Sequence, residues 1–579
     1  MQDKMKATPI GHIRLTGDMD ARIRSMIEGL YLKIDYKLLA DYFRDKLDPF
    51  AAGEFWGKMM RSACRVWDYT KDERLKKVID AAFEDIRSIQ GPDGEISSAP
   101  LEKQPRGQNG SDLWERKYVL LGLWEYWKAT GREEALQVMC GLADYTCRQV
   151  GLPPKFPITE TGWAFFGIES SSILEPIMRS YNVTGKEEYL ALGRHIVEET
   201  GGCKRESIFA AIEQGKEPME IGNNGKPEES IAKAYEMMSC YEGLVEYYRA
   251  TGNERWKNLA VKFGQAVIDL EITRLGSGGA DAPFNLGPGT GEQWNRSASE
   301  QTNPDVNLMM ETCVTITWMK LCGQLFMLSG DTAYMDQFER SLYNALEGAM
   351  RPDGGYFDYF PKFNGKRGGI VNYSFDVGGI PLSCCTANGP MGLAVAPGWA
   401  VTEKDDAVYV NLYLPGEYMT ESGAKVIIDT EYPADGRITV TAEGCERVYL
   451  RIPAWCRKAE LNGAAAAAEN GWICAQGSQT LRLDLQMHCE AYAAPHGSNR
   501  AGDPYVLVEY GPLVMTWDKR VEAEVPAMAA GVKEFRIVEK PVACRAAIEV
   551  DGHVFIDYAS AGATWDMDSE YASWLPMKA

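Results

Sequence analysis

The chain has 579 residues, 45% hydrophobic and 25% charged, which is enough apolar content to bury more than one core. Its formal net charge of −21 argues against nucleic acid and anionic membrane surfaces as partners, since both would repel it. The opening Met1-Gln2-Asp3-Lys4-Met5-Lys6-Ala7 shows no apolar signal core, no apolar run reaches the length of a membrane span, and the 14 cysteines read as reduced thiols, so a cytoplasmic protein is expected.

In chain order, Ile13-Arg14-Leu15-Thr16 alternates as a short strand, and residues 1–19 are expected to pair with sheet further along. Residues 20–405 carry helical periodicity, broken by a recurring joint: Tyr69-Thr70-Lys71-Asp72, Ala129-Thr130-Gly131-Arg132, Val183-Thr184-Gly185-Lys186, Ala250-Thr251-Gly252-Asn253 and Leu328-Ser329-Gly330-Asp331. Each joint ends an aromatic-rich apolar helix, places Gly in most cases where a left-handed cap is needed, and starts a second amphipathic helix. Five or six such hairpins closing in a ring predict an (α/α)6 toroid. From about residue 406 to 579 the period changes to two, as in Val408–Leu414, Arg437–Thr441, Leu481–Leu485 and Tyr505–Glu509, which predicts a C-terminal β-sandwich. The fold class is therefore α+β and multidomain. The Ala464–Ala468 run reads as a surface loop.

Two long irregular segments, 275–305 and 351–383, interrupt the helical half, and long loops in compact domains usually carry function. Beside them stand Glu311-Thr312-Cys313 and the adjacent Cys384-Cys385, with Glu292 in Gly289-Thr290-Gly291-Glu292-Gln293-Trp294. Neighbouring cysteines seldom bridge each other, but both can reach one ion, and a carboxylate with three thiolates completes a tetrahedral zinc set. The competing view is that these cysteines only fill core positions. Structural zinc usually sits in paired C-x-x-C knuckles of small domains, which are missing here. A metal-activated thiolate aimed into the funnel is the sharper reading. Glu292, buried over such a site, could protonate a leaving oxygen; Glu300 is its nearest competitor.

These residues resemble the zinc-dependent, cysteine-nucleophile glycosidases typified by β-L-arabinofuranosidase, glycoside hydrolase family 127 and its relatives. The matching text is Glu311-Thr312-Cys313, Cys384-Cys385-Thr386-Ala387-Asn388, Gly291-Glu292, Leu450-Arg451-Ile452-Pro453-Ala454-Trp455 and Gly511-Pro512-Leu513-Val514, and the likeness runs from Phe55-Trp56-Gly57-Lys58 to Trp574. The resemblance implies that Glu311, Cys313, Cys384 and Cys385 hold zinc. It makes Cys384 the nucleophile and Glu292 the acid/base of a retaining exo-glycoside hydrolase, with Asn388 on the substrate side. Where the family carries sugar-contacting histidines, this chain reads Ser111–Tyr118 and Ile231–Glu236, so Arg116, Lys233 and Glu236 are expected to meet the sugar, and an unusual or acidic sugar is expected beside a furanose. Arg116 and Lys117 are adjacent and cannot both face inward on a helix. Trp56 and Trp114 are candidate stacking platforms, along with Trp163 and Trp294.

The partner is expected to be a small-molecule or oligosaccharide substrate, with no nucleic acid or membrane, and the chain could form a homodimer. Two other readings compete: a non-catalytic carbohydrate-binding or scaffold protein with structural zinc, and a polysaccharide lyase or epimerase on the same toroid. The lyase and epimerase chemistries lean on His and Tyr, and this chain has only 5 His.

Overall fold

The computed structural model describes residues 3–578 apart from 50, 108–109, 164–165, 227–228, 281–290, 304–305, 307, 309, 369–373, 496–503 and 567–568. Gly289 and Thr290 of the Glu292 loop lie outside the described residues. In chain order the helices are α1 (Gly17–Met26), α2 (Tyr36–Arg44), α3 (Ala52–Thr70), α4 (Glu73–Ile89), α5 (Asp112–Thr130), α6 (Glu133–Gln149), α7 (Ile168–Ser171) and α8 (Leu174–Thr184). There follow α9 (Glu187–Arg194), α10 (Ile208–Glu213), α11 (Ala234–Thr251), α12 (Glu254–Leu270), α13 (Thr312–Ser329), α14 (Thr332–Ser341), α15 (Glu347–Ala349) and α16 (Cys384–Ala400).

The predicted joints are the turns of five hairpins. Gly131, Gly185, Gly252 and Gly330 each cap a helix with φ between 67° and 71°, and Lys71 takes the same left-handed conformation at 54°. Asp72, Asn253 and Asp331 then accept backbone N–H groups and open the second helix. Helices α3, α5, α8, α11, α13 and α16 pack each against the next, and α16 returns to α3, closing an inner ring. The sixth pair has no hairpin joint: α16 arrives through the 351–383 loop, and its outer neighbour α1 comes from the start of the chain. Inner and outer helices differ as burial requires. Residues Thr312–Leu328 of α13 are buried on every side, whereas α4 buries one stripe of Leu75, Ile79, Ala82, Phe83 and Ile86. Between α3 and α5 the approach is very close: a Cβ on Gly57 would lie 2.1 Å from the Tyr118 carbonyl oxygen.

Beyond the ring, a five-stranded sheet orders Lys6–Ala7, Val401–Lys404, Ala407–Val410, Arg447–Arg451 and Trp472–Gln476. A seven-stranded sheet includes Gly416–Met419, Lys425–Thr430, Arg437–Glu443 and Gln479–Leu485, with Ile13–Leu15 on its edge against Gly416–Met419. A further sheet is built from strands between Cys489 and Pro576, joined by Asn364–Lys366 from the barrel loop. The alanine run corrects one expectation, because Ala464–Ala466 is a strand paired with Ala459–Leu461. Asn462 and Gly463 both take positive φ, 53° and 79°, and turn the chain straight back into a hairpin. Arg451 ties sheet to barrel: fully buried, it donates to Glu339 at 2.6 Å and to Asp336, both on α14.

Candidate active site

Two of the predicted motifs sit at helix N-termini of the inner ring. Glu311 is the N-cap of α13, with Cys313 in its first turn. Ser383 caps α16, its hydroxyl accepting the Thr386 N–H at 3.0 Å, and Cys384 and Cys385 are the first two helical residues. The two ends are stitched through the 351–383 loop, since Thr312 N–H donates to Tyr359 O at 3.0 Å and Thr312 Oγ1 to Asp358 O at 2.6 Å. Helix N-termini favour anionic ligands, which suits carboxylate and thiolate.

The ligand atoms of Glu311, Cys313, Cys384 and Cys385 all lie within 4.8 Å of one another. Cys385 Sγ is 3.5 Å from Cys313 Sγ and 3.8 Å from Cys384 Sγ, and Glu311 Oε1 is 3.6 and 3.8 Å from the sulfurs of Cys385 and Cys384. A tetrahedral ion with metal–sulfur bonds of about 2.3 Å and a metal–oxygen bond of about 2.0–2.2 Å requires S···S separations of about 3.8 Å and S···O of about 3.5–3.7 Å. The donors fit: the buried cluster can hold a metal ion, and its size and chemistry are compatible with zinc. Cys313, Cys385 and Glu311 are buried, while Cys384 is partly exposed.

Burial raises the Cys384, Cys385 and Glu311 acids well above their ordinary ranges. Burial also works against ionised Cys313, but hydrogen bonds from Cys384 and Cys385 and the Lys58 ammonium outweigh it and bring that thiol down to about 7. Lys58 Nζ is 3.5 Å from Cys313 Sγ and 2.5 Å from Glu54 Oε1, and Tyr359 Oη is 3.0 Å from Cys384 Sγ.

Glu292 stands next to this cluster in a clamped, strained backbone. Its φ is 68°, unusual for a residue with a side chain, and its carbonyl accepts the Ala234 N–H at 3.1 Å while Gln293 and Ala280 exchange backbone hydrogen bonds. Its carboxylate is 3% exposed as a residue, forms an ion pair with Lys233 through Oε2, and leaves Oε1 buried without a hydrogen-bond partner. Glu236 joins them, pushed up to about 7 by burial despite Lys233, with Oε2 also unpartnered. Asn388 lies one turn beyond Cys384 on α16, its Nδ2 buried and unpartnered.

Lys233 therefore departs from the expectation of a cation awaiting an acidic sugar, because its charge is taken by Glu292. Arg116 is not brought to the cluster: buried, it donates to Asp112 at 2.6 Å, Gln104 at 2.9 Å and Gln149 at 2.7 Å, and lies over Tyr145 of α6. Lys117, its neighbour, turns the other way, over the rings of Trp114 and Tyr118. Trp56 is fully buried with its ring against Gly122 of α5, a helix-packing position. Trp114 is 2% exposed, edge-on to Trp163 and Tyr235, and donates from Nε1 to Glu54 Oε2 at 2.8 Å. Glu300 accepts the Asn303 amide at 2.6 Å. Sequence reasoning missed Glu54, Lys58 and Tyr359. The Glu54/Lys58 spacing of four along an apolar helix was the available signal, whereas Tyr359 lies in an irregular loop with none.

Comparison with known proteins identifies the family. The family model described as β-L-arabinofuranosidase, GH127 catalytic domain, matches residues 33–394, and the GH127 middle domain matches 407–487. Among solved structures, the chain is similar to a GH127 β-arabinofuranosidase, with TM-score 0.79, 19% identity, and 100% of this chain and 98% of that chain covered. It is also similar to a GH127 β-L-arabinofuranosidase from Geobacillus stearothermophilus T6, with TM-score 0.75, 18% identity, and 98% and 100% covered. No curated protein matches it in sequence. The catalytic-domain match spans more than half of the chain, which belongs to glycoside hydrolase family 127 and is a glycoside hydrolase.

Proposed function

We propose that the chain is a retaining exo-glycosidase of β-L-arabinofuranosidase type, with zinc held by Glu311, Cys313, Cys384 and Cys385. The observation that carries this reading is the four-donor cluster at tetrahedral spacing, whose one partly exposed member, Cys384, faces a neighbourhood shared with Glu292. When bound, the metal would keep the cysteines as thiolates despite their burial.

Cys384 sulfur attacks the anomeric carbon as the glycosidic C–O bond breaks, giving a glycosyl-cysteine thioether. Glu292 supplies the proton to the departing oxygen through Oε1, the oxygen Lys233 leaves free, and then takes a proton from water as water displaces the sulfur. Lys233 fixes the carboxylate's rotation, and the hydrogen bond between Cys384 Sγ and the Tyr359 hydroxyl fixes the rotamer of Cys384. Glu236 Oε2 and Asn388 Nδ2 offer an acceptor and a donor for sugar hydroxyls.

Cys384→Ser should abolish turnover of nitrophenyl β-L-arabinofuranoside while the fold persists. The wild-type product, followed by NMR from the first turnovers, should keep the substrate's anomeric configuration. An inverted product would exclude the covalent route.

A further inference from the structure

The three cysteines of the cluster do not have equivalent surroundings. Cys313 Sγ meets an ammonium, Lys58 Nζ at 3.5 Å, whereas Cys384 meets the Tyr359 hydroxyl and Cys385 has Tyr359 O at 3.8 Å. Lys58 is 1% exposed and projects from the second turn of α3, and Glu54 four residues earlier receives its other contact. Trp114 on α5 donates to the second oxygen of Glu54, so the carboxylate is gripped from both helices. The ammonium is further enclosed by the rings of Tyr235, 4.6 Å from its centroid, and Tyr118, at 5.1 Å. The result is a continuous line from Trp114 through Glu54 and Lys58 to Cys313, with no water path needed to connect it.

We infer that Lys58 is a positioning residue for the metal centre, an ammonium that partly neutralises the Cys313 thiolate and so stabilises the four-anion ligand set, with Glu54 and Trp114 fixing its aim. The inference rests on the zinc reading above. Three thiolates and one carboxylate around a dication leave two net negative charges in a buried site, and such a cluster is costly unless cations or hydrogen-bond donors share the charge. Hydrogen bonding to one sulfur lowers its electron donation and leaves the others the better donors. Lys58 thus assigns Cys313 to holding the ion and leaves Cys384, the least buried residue of the four, to react.

The test compares wild type with Lys58→Met/Glu54→Gln, which removes both charges of the pair together, and with Lys58→Gln, which keeps an N–H donor without charge. Zinc release to a chromophoric chelator is timed, and the absorption of the cobalt(II)-substituted proteins is recorded. The double variant should release zinc about 10- to 100-fold faster, as loss of outer-shell partners typically weakens metal sites by that factor. Its sulfur-to-cobalt charge-transfer band should move to lower energy, because an unbonded thiolate donates more readily. Lys58→Gln should lie between the two in both readouts. Wild-type release rates and an unmoved band in either folded variant would overturn the role of Lys58. A wild-type protein that holds neither zinc nor cobalt would instead overturn the metal reading itself.

Discussion

Replacing Glu292 by Gln separates chemistry from structure. Glu292 and Lys233 form an ion pair whose side chains are 4% and 8% exposed. Breaking a buried pair outright costs about 3–5 kcal/mol, but the Gln carbonyl still accepts from the Lys233 ammonium, and Glu236 remains as a second anion for it. The stability loss should therefore be about 1–3 kcal/mol, the cost of weakening one charged hydrogen bond. The catalytic loss should be far larger and should depend on the leaving group. An alkoxide needs its proton in the transition state, so turnover of an alkyl or disaccharide arabinofuranoside should fall about 10²- to 10⁴-fold. A nitrophenolate leaves unaided, and its glycosylation step should fall less than about tenfold. Paired kcat/KM measurements on nitrophenyl and disaccharide substrates, with added azide intercepting the glycosyl-enzyme, make the comparison. Equal losses on both substrates would refute the assignment and return attention to Glu300.

Lys233→Ala should lower kcat/KM by the same factor on neutral and acidic sugars, since the ammonium serves Glu292; a loss confined to acidic sugars would restore charge selection. Lys117 is buried and its ammonium is brought down to about 7 by that burial, against 10.5 in the unfolded chain. Between those values the unfolded state binds more protons, so stability due to this group rises with pH from about 7 to about 10.5 and is lost as pH falls through 7. Lys117→Met should accordingly stabilise the protein at pH 6, on the order of 4–5 kcal/mol at full effect, and the gain should shrink toward pH 9 in thermal melts; a pH-independent gain would contradict the buried neutral amine. Arg451→Met strands Asp336 and Glu339 on α14 without their guanidinium and should cost about 3–5 kcal/mol in unfolding experiments, whereas an exposed pair would cost under about 1 kcal/mol.

Local signals explain what could be read from the chain. The Thr-Gly joints are legible because a left-handed cap restricts residue choice, and Glu311-Thr312-Cys313 and Cys384-Cys385 because few pairings of residue types make a metal site. The sixth helix pair was not legible as a hairpin, since α1 and α16 are brought together by ring closure across most of the chain. The side-chain partners of the site were harder still. Lys233 read as a free cation because Glu292, its counter-ion, lies in a separate loop, and Arg116 read as a funnel residue because sequence cannot tell which of two adjacent side chains faces inward. Lys58 went unnoticed beside Trp56, though only the lysine reaches the cluster.

X-ray absorption at the zinc edge, with elemental analysis of protein purified without chelator, reads out a zinc centre of three sulfurs and one oxygen without recourse to activity. About one zinc per chain is expected, with three sulfur neighbours at about 2.3 Å and one oxygen at about 2.0–2.2 Å. Less than about half an equivalent of zinc, or a shell containing nitrogen in place of sulfur, would contradict it.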